Sequence, residues 1–196
     1  MTRSDVLSAL PIQRGHFLLE SGYHSNTWLS LAGLFVDTAR VAPLVTALAA
    51  KIQPHRVTAV CGPMLGGAFL AQAIAHELGV RFYFATGPTQ DADGLFSAAY
   101  QLPAELAVRV RAEHVALVDD VISAGSSVRA TKVALDNAGA RTVVVATLLT
   151  LGDTGRSYFE SQGIPLEALG HREFTMWKPG ECPLCAAGGS LSNPQA

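Results

Sequence analysis

Charge is scarce in this chain, at 15% of 196 residues, and aromatic residues are few at 7%, while hydrophobic residues reach 49%. That balance excludes intrinsic disorder, which needs the opposite one, and it suffices for the core of one domain. Three cysteines cannot build a disulfide framework, so a reducing compartment, the cytoplasm, is expected. No apolar run reaches the roughly 18 residues of a membrane span, because Asp, Arg, Lys or His interrupts each stretch. Met1 to Leu10 lacks the basic and apolar regions of a signal peptide. The formal net charge is −2 and the isoelectric point near 6.3. The basic stripe of a nucleic-acid binder is therefore not expected. Internal repeats and low-complexity segments are also absent.

What is present is an alternation. Ser4 to Leu10 reads as a short helix, and Gly15 to Glu20 and Thr27 to Leu31 as extended segments around a Ser21-Gly22 turn. Asp37 or Thr38 can cap a helix from Ala39 to about Gln53, with Val41, Leu44, Val45 and Leu48 at helical spacing. Arg56 to Cys61 reads as a strand, Gly62 to Gly67 as a loop, and Ala68 to Leu78 as a helix ended by Gly79. Val80 to Ala85 and His114 to Val118 read as strands. Val128 to Asn137 is helical up to Gly139, and Thr142 to Leu149 is a buried strand. Strands alternating with helices predict an α/β fold with a central, mostly parallel sheet flanked by helices. Thr86 to Leu106 reads as a long polar loop, and the tail from His171 onward as irregular.

One segment carries the chemistry. Val115 to Val118 is an apolar strand that runs into Asp119 and Asp120, then into the small-residue loop Ser123-Ala124-Gly125-Ser126-Ser127 at a helix start. Ligands of open α/β sheets bind at the carboxyl ends of strands. A helix N-terminus offers unpaired N–H groups and a positive dipole end, which suit a phosphate. The serines add hydroxyl donors, and Gly125 permits close backbone approach. Carboxylates would repel phosphate but accept hydrogen bonds from sugar hydroxyls. The pattern asks for a ligand with hydroxyls at one end and a phosphate at the other. Pro63, Met64, Leu65, Gly66 and Gly67 form a second loop between a strand and a helix, able to hold an anion by the same argument.

The segment Val115 to Val128 resembles the motif by which type I phosphoribosyltransferases bind phosphoribosyl pyrophosphate (PRPP). Gly15-His16-Phe17-Leu18-Leu19-Glu20-Ser21-Gly22-Tyr23-His24-Ser25, the Gly62 to Gly67 loop and the tail Cys182-Pro183-Leu184-Cys185 resemble segments of bacterial orotate phosphoribosyltransferases, in the family's order. The resemblance implies a type I phosphoribosyltransferase fold, a single domain over 1–196. Its core would span 37–164, with a small hood and tail from 1–36 and 165–196. It implies a glycosyltransferase that moves phosphoribose from PRPP to a nitrogenous base, with Mg²⁺ accompanying PRPP, acting as a homodimer. Asp119 and Asp120 would hold the ribose hydroxyls. Val121 and Ser123 to Ser127 would surround the 5-phosphate, and Pro63 to Gly67 the pyrophosphate. Ser21, His24 and Ser25 are candidate base contacts.

The departures lie where charge is needed. Phe82 to Val108 contains no Lys or Arg but has Asp91, Asp93 and Glu105, whereas the family's mobile loop carries a catalytic lysine that meets the charge of departing pyrophosphate. The nearest cations by sequence are Arg81, Arg109 and Arg111, which flank that loop. The family's Asp-Arg after the last strand is here Leu149-Thr150-Leu151-Gly152-Asp153, with Arg156 out of register. Glu20 precedes Ser21, where the family has a base-binding cation. Two alternatives therefore stay open: a non-catalytic PRPP- or nucleotide-binding regulatory protein, and a salvage transferase for another base. Cys182 and Cys185 have the spacing of half a zinc site. Cys61 lies on a buried strand, so further ligands would come from His171 or a second chain. A tight tail turn and a redox-labile pair are the competing readings. Trp28 and Trp177 are read as packing residues, and Val41 to Leu48 as a core or dimer stripe.

Overall fold

The computed structural model describes residues 12–29, 32–87 and 100–194. The helix expected over Ser4 to Leu10 lies outside the described residues, as do positions 30–31 and most of the polar stretch after Thr86. Five parallel strands form the central sheet in the order β4-β3-β5-β6-β7. These are β3 (Ala59–Pro63), β4 (Arg81–Ala85), β5 (His114–Ile122), β6 (Arg141–Leu151) and β7 (Leu166–Arg172). The helices are α1 (Thr38–Ile52), α2 (Gly66–Leu78), α3 (Ala104–Arg109), α4 (Ser126–Asn137), α5 (Thr154–Glu160) and α6 (Pro183–Ala186).

Successive strand residues face opposite sides of a sheet, and two cores follow from that. Val60, Ala116, Val118, Val144, Ala146 and Leu148 pack under α1 and α2 with Leu44, Leu48, Ile52, Leu70 and Ile74. Ala59, Cys61, Val115, Leu117 and Val145 face the other way, against Val128 and Leu135 of α4 and Phe159 of α5. Each fully buried Leu or Ile contributes about 1.5–3 kcal/mol. That burial explains why α1 continues through Pro43, although proline lacks the N–H of an interior turn. The side chain of Asp37 caps α1 by accepting from the amides of Ala39 and Arg40, at 3.1 and 3.3 Å.

The strand order fixes where a ligand can sit. β3 connects through α2 to β4 on one side, and β5 connects through α4 to β6 on the other. The direction in which successive strands are added therefore reverses between β3 and β5. Helices leaving neighbouring strands toward opposite faces open a crevice at that switch point.

A second, three-stranded sheet covers this end. It is antiparallel, in the order β1-β2-β8, from β1 (Ile12–Leu18), β2 (His24–Leu29) and β8 (Met176–Trp177).

Several elements differ from the sequence reading. β5 does not stop at Val118, because its ladder with β6 continues through Asp119↔Thr147 and Ile122↔Thr150; the two acids stand on a strand. Strand β7 and helix α5 were not expected. With β7 in it, the central sheet reaches Arg172, past the 37–164 range. Helix α3 begins inside the end of the expected polar loop and runs past it, with Leu106 packed against the second core. The tail is structured too, with β8 paired to β2 and α6 after it. Among the described residues, no helix is long and apolar enough to cross a membrane.

Candidate active site

A cavity of about 680 Å³ opens at the switch point. Asp119, Asp120 and Val121 reach it from β5. Ser123, Gly125, Ser126 and Ser127 reach it from the loop into α4, and Pro63, Met64, Leu65 and Gly66 from the loop into α2. The hood turn adds Leu19, Glu20 and Ser21, and β2 adds Thr27, Trp28 and Leu29. Two residues of the expected set stand just behind this wall: Ala124 is fully buried, and Gly67 lies beneath Asp119. His24 and Ser25 do not line the cavity. The Ser25 hydroxyl donates to the Thr175 carbonyl at 2.9 Å, and His24 turns toward His16 and Cys185. Both stand at the start of β2, paired with Trp177 and Met176 of β8.

The carboxylates are held by local bonds. Asp119 Oδ2 accepts from the Ser127 hydroxyl at 2.8 Å, and Oδ1 accepts from the Asp120 amide at 3.0 Å. Asp120 Oδ1 accepts from the Val121 amide at 2.8 Å. Thr147 donates its hydroxyl to the Asp120 carbonyl at 3.1 Å, which ties the strand end to β6. Glycines stand opposite them. A Cβ on Gly66 would lie 2.3 Å from Asp120 Oδ2, and one on Gly67 would lie 2.7 Å from Asp119 Oδ1. The α2 loop thus lies directly against both acids.

Burial, and the charge of Asp120, hold the Asp119 carboxyl well above the ordinary carboxylate range. Asp120 is raised as well, chiefly by burial. Glu20 makes a third acid. Its Oε1 accepts from the Tyr100 hydroxyl at 2.9 Å, and burial together with Asp120 raises its pKa against that hydrogen bond. Among the described residues, no lining side chain is cationic. Three acids in one cavity without a lining cation make an oxygen-rich, anionic wall of the kind a hard cation prefers.

The loop after the acids suits an anion. Gly125 sits immediately before α4 at φ +79°, a backbone conformation that favours glycine. The first amides of α4 have no acceptor within the helix and face the cavity end. From behind, the Gly155 amide of α5 braces the loop by donating to the Ser123 carbonyl at 3.0 Å. The Ser21 hydroxyl, buried in the hood turn, has no hydrogen-bond partner among the described residues, so a donor or acceptor is available on the hood side.

Arg81, Arg109, Arg111 and Arg156 do not line the cavity. Arg81 pairs with Glu113 at the start of β4, the end of the sheet away from the cavity. The Arg109 carbonyl accepts from the Tyr83 hydroxyl on the second-core side. Arg156 binds Glu160 and the Leu166 carbonyl, at 3.2 and 2.9 Å. The sequence reading missed a different pair. A smaller cavity of about 160 Å³ shares Thr27, Leu29, Leu151 and Phe174 with the first and is further lined by Ile12, Arg14, Arg172 and Glu173. Arg14 donates to the Thr27 hydroxyl at 2.8 Å. The β1–β2 register shifts between Arg14 and Phe17, so strand alternation gives no local sign of which face Arg14 presents. Tyr100 and Phe174 likewise join the wall only through tertiary contact.

Comparison with known proteins agrees with this geometry. Residues 35–171 match the phosphoribosyl transferase domain family. The orotate phosphoribosyltransferase of Caldanaerobacter subterraneus is 31% identical over 183 residues, covering 93% of this chain and 90% of that protein. That of Helicobacter pylori HPAG1 is 32% identical over 190 residues, 91% and 90% of the two chains. Among solved structures, Mycobacterium tuberculosis orotate phosphoribosyltransferase superposes with a TM-score of 0.65 at 19% identity, covering 86% of this chain and 95% of that one. The adenine enzyme of Giardia lamblia gives 0.71 at 16% identity, covering 88% and 99%. These structural likenesses show the fold, and the sequence relatives show the family. The chain belongs to the type I phosphoribosyltransferases and stands with the orotate phosphoribosyltransferases among them.

Proposed function

We propose that the chain transfers the 5-phosphoribosyl group of PRPP to orotate and releases pyrophosphate. The bond from the ribose anomeric carbon to the pyrophosphate oxygen breaks, a bond from that carbon to a ring nitrogen of the base forms, and the nitrogen loses its proton. The observation that carries the reading is the cavity itself, in which Asp119 and Asp120 and the Ser123 to Ser127 loop occupy one wall at the switch point.

Each part of PRPP has a matching group. The α4 loop offers amides and serine hydroxyls to the 5-phosphate. Asp119 and Asp120 accept from the ribose hydroxyls, and the hydrogen bonds from Ser127 and the Val121 amide fix where they do so. The Pro63 to Gly66 backbone lies beside Asp120 and suits the pyrophosphate. The donor set of buried carboxylates without a lining cation fits Mg²⁺, a hard cation that prefers oxygen ligands. When bound, Mg²⁺ neutralises the charge that gathers on pyrophosphate. Asp119 and Asp120 are the residues that would face it.

At the other end of the cavity, Ser21 supplies an unused hydroxyl for the base. Arg14 and Arg172, in the adjoining cavity, match the carboxylate of orotate. Glu20 favours the second reading, a base that presents N–H groups instead. The exposed side chains of Val36, Leu65 and Phe69 supply an apolar surface for the homodimer, and the free thiols suit the cytoplasm.

Pyrophosphate release from PRPP and Mg²⁺ with a panel of bases tests the assignment. Orotate is expected to react, with the other bases at background. Reaction with adenine or uracil but not orotate would transfer the assignment to the Glu20 reading. Release with none of the bases would refute the catalytic one.

A further inference from the structure

The cysteine pair of the tail does not meet His171, which bonds Thr150 at 3.0 Å and lies near Glu173. It meets two histidines of the hood. His16 of β1, His24 of β2, and Cys182 and Cys185 at the start of α6 bring one donor atom each to within 4.8 Å of all the others. His16 Nε2 lies 3.1 Å from His24 Nδ1, 3.4 Å from Cys182 Sγ and 3.6 Å from Cys185 Sγ. Cys185 Sγ is 3.2 Å from His24 Nδ1. His16, His24 and Cys182 are buried, and all three cysteines of the chain are free thiols.

We infer that these four side chains form a closed, tetrahedral zinc site that fastens the C-terminal tail to the N-terminal hairpin. Hydrogen bonding alone does not account for the arrangement. The single in-plane lone pair of an imidazole nitrogen accepts one good hydrogen bond, yet three polar atoms converge on His16 Nε2. Convergence on a common centre is what a metal requires. With Zn–N near 2.0–2.1 Å and Zn–S near 2.3 Å, a tetrahedron has edges of about 3.3–3.4 Å between nitrogens and about 3.5–3.6 Å between nitrogen and sulfur. The four observed separations lie within a few tenths of an ångström of those edges. His16 Nδ1 lies 3.1 Å from the Gly189 carbonyl. That acceptor holds the proton on Nδ1 and leaves the Nε2 lone pair facing the cluster, the support that metal-bound histidines usually have. Two thiolates with two imidazoles select zinc, and four protein ligands leave no open position, so the site is structural.

The hood has need of such a fastening. β8 contributes two residues, paired as His24↔Trp177 and Ser25↔Met176, and α6 is four residues long with no buried member. A sheet this small buries little apolar surface, and metal binding then supplies folding free energy. None of this depends on what the cavity binds.

The test is the metal content of untagged protein, purified without chelator from zinc-supplemented culture. About one zinc per chain is expected. The double variant Cys182→Ser/Cys185→Ser is expected to lose it, and His171→Ala to keep it. Should the double variant fail to fold, wild-type protein stripped by a chelator and reloaded with Co²⁺ decides the matter, since thiolate-bound tetrahedral cobalt shows a charge-transfer band and intense visible absorption. Metal-free wild type that takes up no cobalt under reducing conditions would overturn the site. So would zinc retained in the folded double variant, or a Cys182–Cys185 disulfide in freshly isolated, metal-free protein.

Discussion

Gly66→Ala separates the demands of the helix from those of the site. Gly66 opens α2, and its φ lies outside the left-handed region that favours glycine. Alanine therefore fits the backbone, and at a helical position it should gain about 0.5–1 kcal/mol over glycine. The added methyl would lie 2.3 Å from Asp120 Oδ2 and 2.7 Å from its Cγ. To reach a tolerable 3.0 Å, the carboxylate oxygen must retreat by about 0.7 Å. A surface carboxylate could do this cheaply, but Asp120 Oδ1 is held by the Val121 amide at 2.8 Å. The folding cost should stay near the helical gain, leaving Tm within about 4 °C of wild type. The site should suffer more. A misplacement approaching 1 Å in a positioned catalytic group costs about 10–100-fold in rate, or about 1.4–2.7 kcal/mol of transition-state stabilisation. Steady-state kinetics with PRPP as the varied substrate, beside a thermal melt, measures both quantities. Wild-type kcat/KM with an unchanged melt would refute the placement of Asp120 against the ligand. A collapse of the fold would refute the separation of the two effects.

Four further outcomes are expected. Asp119→Asn/Asp120→Asn should weaken PRPP binding by about 100-fold or more, since each acid accepts charge-assisted hydrogen bonds worth about 1.5–3 kcal/mol; calorimetric titration measures it. The same variant should melt higher than wild type at neutral pH. A carboxyl whose pKa rises on folding holds its proton more tightly when folded, so ligand-free stability is highest below the ordinary carboxylate range. It then falls as pH rises from there through the raised values of Asp119, Asp120 and Glu20. Melts across that window, with and without Mg²⁺ and PRPP, should show the fall only in the ligand-free protein. Gly125→Ala places a side chain at φ +79°, which costs about 1–2 kcal/mol, and should lower both Tm and PRPP affinity. Arg14→Gln should raise KM for orotate by about 10- to 150-fold, in line with the roughly 1.5–3 kcal/mol of a charge-assisted hydrogen bond, and leave KM for PRPP unchanged; an equal change in both would remove Arg14 from the base end.

The parts of this protein that were legible in its sequence are those whose signals are local. Val115 to Ser127 declares strand, acids and small-residue loop within one stretch, and Gly79 and Gly139 mark helix ends by their own backbone needs. The helical spacing of Val41 to Leu48 and the apolar run in β6 gave the sandwich of sheet and helices. What stayed hidden depends on pairing between distant segments. β5 extends through Asp119 only because β6 is long enough to pair with it. β7 became visible only as the edge partner of β6, since Leu166 to Arg172 mixes Glu, Gly, His and Arg. Glu20 and Tyr100, eighty residues apart, meet only when the hood folds over the crevice. The CxxC pair has the spacing of half a zinc site, but His16 and His24, which it meets, lie more than 150 residues away. Their partnership rests on the β1–β2 hairpin and the β2–β8 pairing, neither of which has a strong local signature.

Calorimetric titration of the purified chain with PRPP, in the presence and absence of Mg²⁺, tests the central claim most directly. The account predicts saturable binding at one site per chain that strengthens with Mg²⁺ and is lost in Asp119→Asn/Asp120→Asn. Absence of binding to folded wild-type protein, or equal binding by that variant, would contradict it.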